Sequence, residues 1–293
     1  MESNLTGIPG EIRKIMLQGV YNDTFEVVYN GGPECAKEST LEFKFKLTLR
    51  LIPLYILGAY FLYRFIKGSS QRKPLFVNPS IVERLTGIIC FFCVMIQIYT
   101  KARTNTMIFL LNPCHVFTLC WGIVLNMKHS LKAELLFLFC IGNVSAPAIG
   151  MVFAENDELE TQLEIISYWV QHCVAAFVAP WVCLMSGRFA HSVYTNPLYI
   201  LVGYQFFTVY MRFFLTPLSA MTWANLNHTL CGIDNDPWRV YFNLGKYFYF
   251  WAEFYLLLGA ITTCVPVYWI ARILRPSVFR KTAELAEQKV KND

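Results

Sequence analysis

"PLYILVGYQFFTVYMRFFLTPLSAMT", residues 197–222, carries a single charged side chain, Arg212. Wound as a helix, a run of roughly 20 apolar residues matches the ~30 Å hydrocarbon core of a bilayer. Comparable windows recur at 45–66, 81–100, 107–125, 131–153, 163–184 and 247–271. The whole chain agrees with them: 55% hydrophobic, 16% aromatic and only 15% charged over 293 residues, with a mean hydropathy of +0.40. A large soluble helical core would need amphipathic helices with a polar stripe, and most of these windows have none. The expected fold is therefore all-α and polytopic, about seven transmembrane helices. The organisation read from it is an N-terminal segment 1–44, a membrane domain 45–271 and a basic tail 272–293. Lys46 and Arg50 lie inside the first window, so its membrane-crossing part is expected to start nearer Leu51. Connections are short, and neither a repeat nor a low-complexity tract interrupts them. Residues 1–44 lack a basic start followed by an apolar run, so a cleaved signal peptide is not expected.

Positive charges set the expected orientation. Lys67, Arg72 and Lys73 follow the first window, Lys128 and Lys132 border the third loop, and Arg188 follows the fifth window. Arg272, Arg275, Arg280, Lys281, Lys289 and Lys291 crowd the tail. These segments share one side, read as cytoplasmic. The N-terminus and an acidic fourth loop (Glu155, Asp157, Glu158, Glu160) share the other. Lys101 and Arg103, in the second loop, run against this pattern. The sequons at Asn4, Asn22 and Asn227 all fall on the extracytoplasmic side. So do Cys35 and Cys231, the two cysteines outside the windows, for which a disulfide or two free thiols are the alternatives. The ending Lys289-Val290-Lys291-Asn292-Asp293 resembles a dilysine retrieval signal of the endoplasmic reticulum. A generic basic tail touching anionic lipid is the alternative.

Polar side chains inside the windows are costly unless satisfied or used. In "LLNPCHVF" (110–117), Asn112, Pro113, Cys114 and His115 stand where leucine would be the cheaper choice. A proline inside a helix removes one backbone bond and frees a carbonyl, here near Phe109. Irregular backbone at membrane depth is tolerated where it is buried or lines a cavity. Counting from the window starts, Cys114 lies about seven residues in, ~10 Å, and His172 about nine residues in, ~13 Å. Gln171, Arg212 and Glu253 fall at a similar level. A histidine base could take the thiol proton and leave a reactive thiolate. His115 adjoins Cys114 and is turned about 100° from it on a helix, so His172 is the better-placed base. Arg212 and Glu253 could pair with each other, or Arg212 could hold a lipid phosphate. A zinc site on Cys114, His115 and His172 is disfavoured because adjacent ligands on one helix diverge. Cys90, Cys93, Cys120, Cys140, Cys173, Cys183 and Cys264 read as packing residues.

The stretches "NGGPECA" (30–36), "NPCHV" (112–116), "YWVQH" (168–172) and "NLNHTLC" with a following "DP" (225–231, 236–237) resemble the transmembrane protein 164 family, in that family's order. The resemblance implies a multi-pass lipid acyltransferase that moves polyunsaturated acyl chains between phospholipids and favours ether-linked products. It implies transient acylation of Cys114 and a general-base role for His172. The family looks distantly like androgen-induced membrane hydrolases of fatty acid esters of hydroxy fatty acids, which use a threonine and a histidine in comparable places. The expected partners are phospholipid, lysophospholipid and the bilayer, with no cofactor, no metal and no nucleic acid. Asn112 and Gln171 have the right chemistry for oxyanion donors. The alternatives are a lipid-ester hydrolase, or a seven-helix receptor or transporter. A receptor would end its third span in an acidic-arginine pair rather than "LNMKH" (125–129) and would carry Asn-Pro-x-x-Tyr in its last. A transporter often shows inverted repeats, and none is visible.

Overall fold

In the computed structural model the described residues are 15–16, 31–38, 40–69, 74, 76–152, 154, 161–189 and 196–232, with Leu258, Trp269 and Ile273. Among them every extended element is helical, and a single isolated bridge joins Gly31 to Ala224. The helices are α1 (Gly32–Glu38), α2 (Leu41–Arg50), α3 (Ile52–Lys67), α4 (Ile81–Arg103), α5 (Pro113–Asn126) and α6 (Leu131–Ile141). They continue with α7 (Ser145–Val152), α8 (Gln162–Cys173), α9 (Ala179–Ser186), α10 (Pro197–Val209) and α11 (Thr216–Thr222). A 3₁₀ turn, Met107–Leu111, precedes α5, and another, Leu226–His228, follows α11. π-helical turns join α8 to α9 (Val174–Val178) and α10 to α11 (Tyr210–Leu215).

Local chemistry sets the helix starts. Ser80 and Glu83 close a reciprocal capping box on α4. Ser130, Thr161 and Asn196 each accept a first-turn N–H through the side chain, on α6, α8 and α10 respectively. Among the described residues four helical runs are long and apolar enough to cross a membrane: Ile81–Arg103, Leu131–Val152, Gln162–Ser186 and Leu198–Thr222. The pair α2 and α3, bent by 50°, makes a fifth if taken as one span. The bend falls at Leu51, where the apolar part of the first window begins. α5 has 14 residues and at 1.5 Å per residue is roughly 21 Å long, short of a bilayer core. Apart from Leu258, Trp269 and Ile273, the window 247–271 and the basic tail lie outside the described residues, as do Glu253, Cys264 and the sequons at Asn4 and Asn22.

α4 shows what kind of medium this bundle suits. Its buried face is Glu83, Thr86, Gly87, Cys90, Cys93, Gln97, Thr100 and Lys101, polar or small throughout. Its outward face is apolar, with Ile81 69% and Phe92 65% exposed. A helix in water would bury the second set and expose the first. In lipid, small and polar side chains gather at helix–helix contacts instead. With the long apolar runs, this points to a multi-pass membrane protein.

Successive passes alternate between two ends of the bundle. At one end, Glu83 of α4, Met127 after α5 and Ser186 of α9 meet around Arg188. At the other, Cys35 is joined to Cys231 by a disulfide, and Lys44 of α2 donates to the carbonyls of Thr229 and Leu230. Between these ends α4 packs along α5 and α8, while α10 lies against α3 and α6. The core is centred on Trp121, Phe137, Leu184 and Phe189, with the Phe137 and Phe189 rings stacked 4.1 Å apart.

Candidate functional site

Pro113 is not a kink within a helix. It is the first residue of α5, and Asn112 is the N-cap. A proline at that position gives up an N–H that would have no intrahelical partner anyway. The Phe109 carbonyl is not left open either, because it accepts from the Asn112 N–H at 2.9 Å. The window 107–125 is thus a short 3₁₀ turn and a fresh helix, and Cys114 stands in the first turn of that helix. Amide N–H groups point outward there, and the helix dipole favours negative charge.

Asparagine normally caps such an end with its own side chain. Asn112 does not: no side-chain cap bond forms, and its Oδ1 accepts from the backbone N–H of Asn227 at 3.0 Å. Asn227 lies in the segment held by the Cys35–Cys231 disulfide, and Tyr210 reaches across to donate to the Leu111 carbonyl at 2.6 Å. The chain before Cys114 is therefore fixed from outside the helix. Asn227 is itself only half-exposed, its amide 3.6 Å from the Met211 sulfur, and the Thr229 hydroxyl is buried against Ser219.

α8 supplies the opposite wall. Its buried side chains Glu164, Ser167, Gln171 and His172 follow helical spacing. Glu164 pairs with Lys101 at 2.7 Å, Ser167 accepts from Gln97 at 3.3 Å, and Gln171 Oε1 meets His115 Nδ1 at 3.3 Å. This polar seam runs between α8 and the helices α4 and α5. Lys101, which contradicted the charge pattern as a loop residue, is a buried partner of Glu164 with 8% of its side chain exposed.

At the foot of the seam half-buried Cys114 stands beside Gln171, next to the His115 that meets the Gln171 Oε1. His172 follows Gln171 in sequence. Its Nδ1 lies 2.7 Å from the Tyr168 carbonyl, an acceptor, so Nδ1 carries the proton and Nε2 keeps the lone pair. Nε2 lies over Gly150 of α7, where an added Cβ would sit 3.2 Å from it. Tyr168 holds the ring from one side at 4.0 Å between centroids and ties α8 to α7 by donating to the Gly150 carbonyl. No hydrogen bond joins Cys114 to His172 among the described residues; the two side chains flank Gln171. Arg212 is buried in the π turn Tyr210–Leu215, and its proposed partner Glu253 lies outside the described residues.

Asn112, Cys114, His115, Gln171 and His172 thus occupy one region, where a broken helix start meets α8 just before its π turn. π turns often accompany functional positions. Lys101, Glu164, Tyr210 and Gly150 complete its surroundings and were not singled out as site residues from sequence. Only the helical spacing of Glu164, Ser167 and Gln171 could have signalled part of that wall. Among the described residues no group of three His, Cys, Asp or Glu side chains is placed to hold a metal ion. No family model matches the chain, and no solved structure matches it.

Proposed function

We propose that the chain is a membrane lipid acyltransferase, with Cys114 as nucleophile and His172 as general base. The observation that carries the reading is the meeting of a half-buried thiol in a first helical turn with Gln171 of another helix, whose neighbour in sequence is His172. The motif resemblance to the transmembrane protein 164 family supports it, and so does the single free lone pair on His172 Nε2. In the first half-reaction the thiol proton passes to His172 and the sulfur attacks a phospholipid ester carbonyl. The carbon–oxygen bond breaks, the departing alkoxide regains the proton, and a thioester remains. In the second half-reaction a lysophospholipid hydroxyl, ether-linked lysolipids included, gives its proton to His172 and attacks the thioester, releasing the thiolate. A bundle that excludes water favours transfer to lipid over hydrolysis.

The proposed topology has seven spans, with the N-terminus extracytoplasmic and the tail cytoplasmic, in the endoplasmic reticulum. Burial of Lys101 against Glu164 supports that orientation, because it removes one of the two charges on the wrong side. The helix break at Asn112–Pro113 favours one further reading, a transporter that binds an anionic group at a half-helix start.

The test is acyl-adduct mass spectrometry. Purified protein in lipid is incubated with a tagged polyunsaturated phosphatidylcholine, alongside Cys114→Ala and His172→Ala. A hydroxylamine-labile adduct on Cys114, absent from Cys114→Ala and strongly reduced in His172→Ala, is expected. Lipid turnover that survives Cys114→Ala would remove the nucleophile assignment. Absence of both adduct and turnover in folded protein would favour the transporter.

A further inference from the structure

The acyl-transfer reading leaves open what receives the negative charge on the carbonyl oxygen once the thiolate has attacked. We infer that the Cys114 backbone N–H, in the first turn of α5, and the Gln171 amide together form the oxyanion pocket of that reaction, with Gln171 Nε2 as the side-chain donor. This rests on Cys114 being the nucleophile.

Two independent observations meet at that point. First, α5 begins without a side-chain cap, because the residue suited to cap it is committed elsewhere: Asn112 Oδ1 accepts from Asn227. Pro113 has no N–H, and the His115 and Val116 amides turn to the Asn112 carbonyl at 3.0 and 3.4 Å, so the Cys114 N–H is the first-turn amide left open beside its own sulfur. Asn112, the other sequence-level choice for an oxyanion donor, has a structural task instead. Second, Gln171 is 1% exposed, and its Nε2 has no hydrogen-bond partner among the described residues. A buried amide nitrogen left without an acceptor costs stability. Its Oε1 is turned to His115 Nδ1, so that the unpaired Nε2 is the atom left for the thiol side of the amide. His115 then has a defined role: as an Nδ1–H donor it holds the Gln171 amide in the orientation that presents nitrogen rather than oxygen.

The chemistry follows directly. When sulfur bonds to the ester carbon, the carbonyl π pair moves onto oxygen. That oxygen accepts from the Cys114 backbone N–H and from Gln171 Nε2–H. On collapse the pair returns to re-form the carbonyl and the ester carbon–oxygen bond breaks, with the proton delivered from His172. The same donors serve the second tetrahedral intermediate, formed when the lysolipid oxygen attacks the thioester. Donors fixed in a water-poor site need no reorganisation as charge develops.

The experiment compares wild type with Gln171→Met, matched in length but lacking the donor, in proteoliposomes of phosphatidylcholine and ether lysophosphatidylcholine. Two rates are read: acyl transfer, and alkylation of Cys114 by iodoacetamide, which passes through no oxyanion. Loss of roughly 10²-fold or more in transfer, with alkylation changed less than about threefold, is the expected result. Transfer retained within about threefold, or both rates falling together, would overturn the pocket while leaving the nucleophile intact. Wild-type transfer that does not need Cys114 would overturn both readings. A measurement on wild type covers a Gln171→Met protein that fails to fold. A lipid trifluoromethyl ketone is added to form a thiohemiketal on Cys114, and fluorine NMR reads its ionisation. An adduct oxygen ionised at neutral pH supports the pocket, and one that stays protonated refutes it.

Discussion

Arg188 reads in sequence as a loop cation that helps orient the chain, yet its guanidinium is fully buried. It pairs with Glu83 at 2.8 Å, donates to the carbonyls of Met127 and Val124 at 2.8 and 3.0 Å, and lies over the Phe189 ring. Glu83 in turn accepts from Ser186 and from the Ser80 backbone. With every polar atom answered, the cluster ties α4, α5 and α9 at one end of the bundle. Removing one partner of such a pair leaves a buried charge alone, at a cost of about 3–5 kcal/mol. Arg188→Met is expected to lower the thermal midpoint in detergent more than Glu83→Gln, because it also abandons two carbonyls. Equal midpoints for the two variants would refute that ordering. Lys101 teaches the same lesson, since its partner Glu164 lies on another helix and no local pattern announces the pair. Residue chemistry was legible in Cys114, His115, Gln171 and His172, whose types are costly in a membrane. What was not legible is which atoms are already engaged. Asn112 and Gln171 are equal choices by type, and only the fold commits Asn112 to Asn227 and leaves Gln171 Nε2 open.

At the level of helices, most of the apolar windows that fall on described residues give existence and approximate extent well, because lipid demands long apolar runs. They give breaks poorly, because an interruption costs little in hydropathy. The window 107–125 is 3₁₀ turn plus α5, and 163–184 carries a π turn directly after His172 and Cys173. Packing between helices depends on small residues whose partners lie far away in sequence. Gly142, just after α6, and Gly203 of α10 let two backbones approach, so that a Cβ on Gly203 would stand 2.0 Å from the Leu138 carbonyl oxygen. Backbone cannot yield as a flexible side chain does, and overpacking of this kind costs about 1–3 kcal/mol or more. Gly203→Ala is therefore expected to destabilise the bundle by at least that amount in chemical or thermal unfolding. Gly150→Ala is expected to be milder, since its neighbour at 3.1 Å is the His172 ring, but it should slow acyl transfer by displacing Nε2. Wild-type stability for Gly203→Ala would show that α6 and α10 do not approach so closely.

For the whole molecule, the end holding the disulfide connects the N-terminal segment to the candidate site in four steps. Cys35 is bonded to Cys231, and Asn225 Oδ1 accepts from the backbones of Leu230 and Cys231. Lys44 clamps the Thr229 and Leu230 carbonyls. Asn227, with its positive φ of 46°, donates its N–H to Asn112, two residues before Cys114. Sequence placed both cysteines on one side of the membrane, but it held no sign that their loop reaches "NPCHV". That contact depends on a left-handed residue turning a backbone N–H inward, which a sequence of polar loop residues does not encode. Breaking the bond frees a loop closed across 196 residues, with an expected loss of about 2–4 kcal/mol. The loss should be local, because the Arg188 cluster holds the far end independently. Hydrogen exchange is therefore expected to rise in Cys35→Ser at residues 110–116 and 223–231, and to stay unchanged around Glu83. Acyl transfer should fall with it, since Asn112 would then be free to cap α5 and close the turn that Cys114 needs open. Reductant should reproduce both effects in wild type and add nothing in the variant. Exchange unchanged at 110–116 after reduction would separate the disulfide from the site and confine its role to anchoring the N-terminal segment.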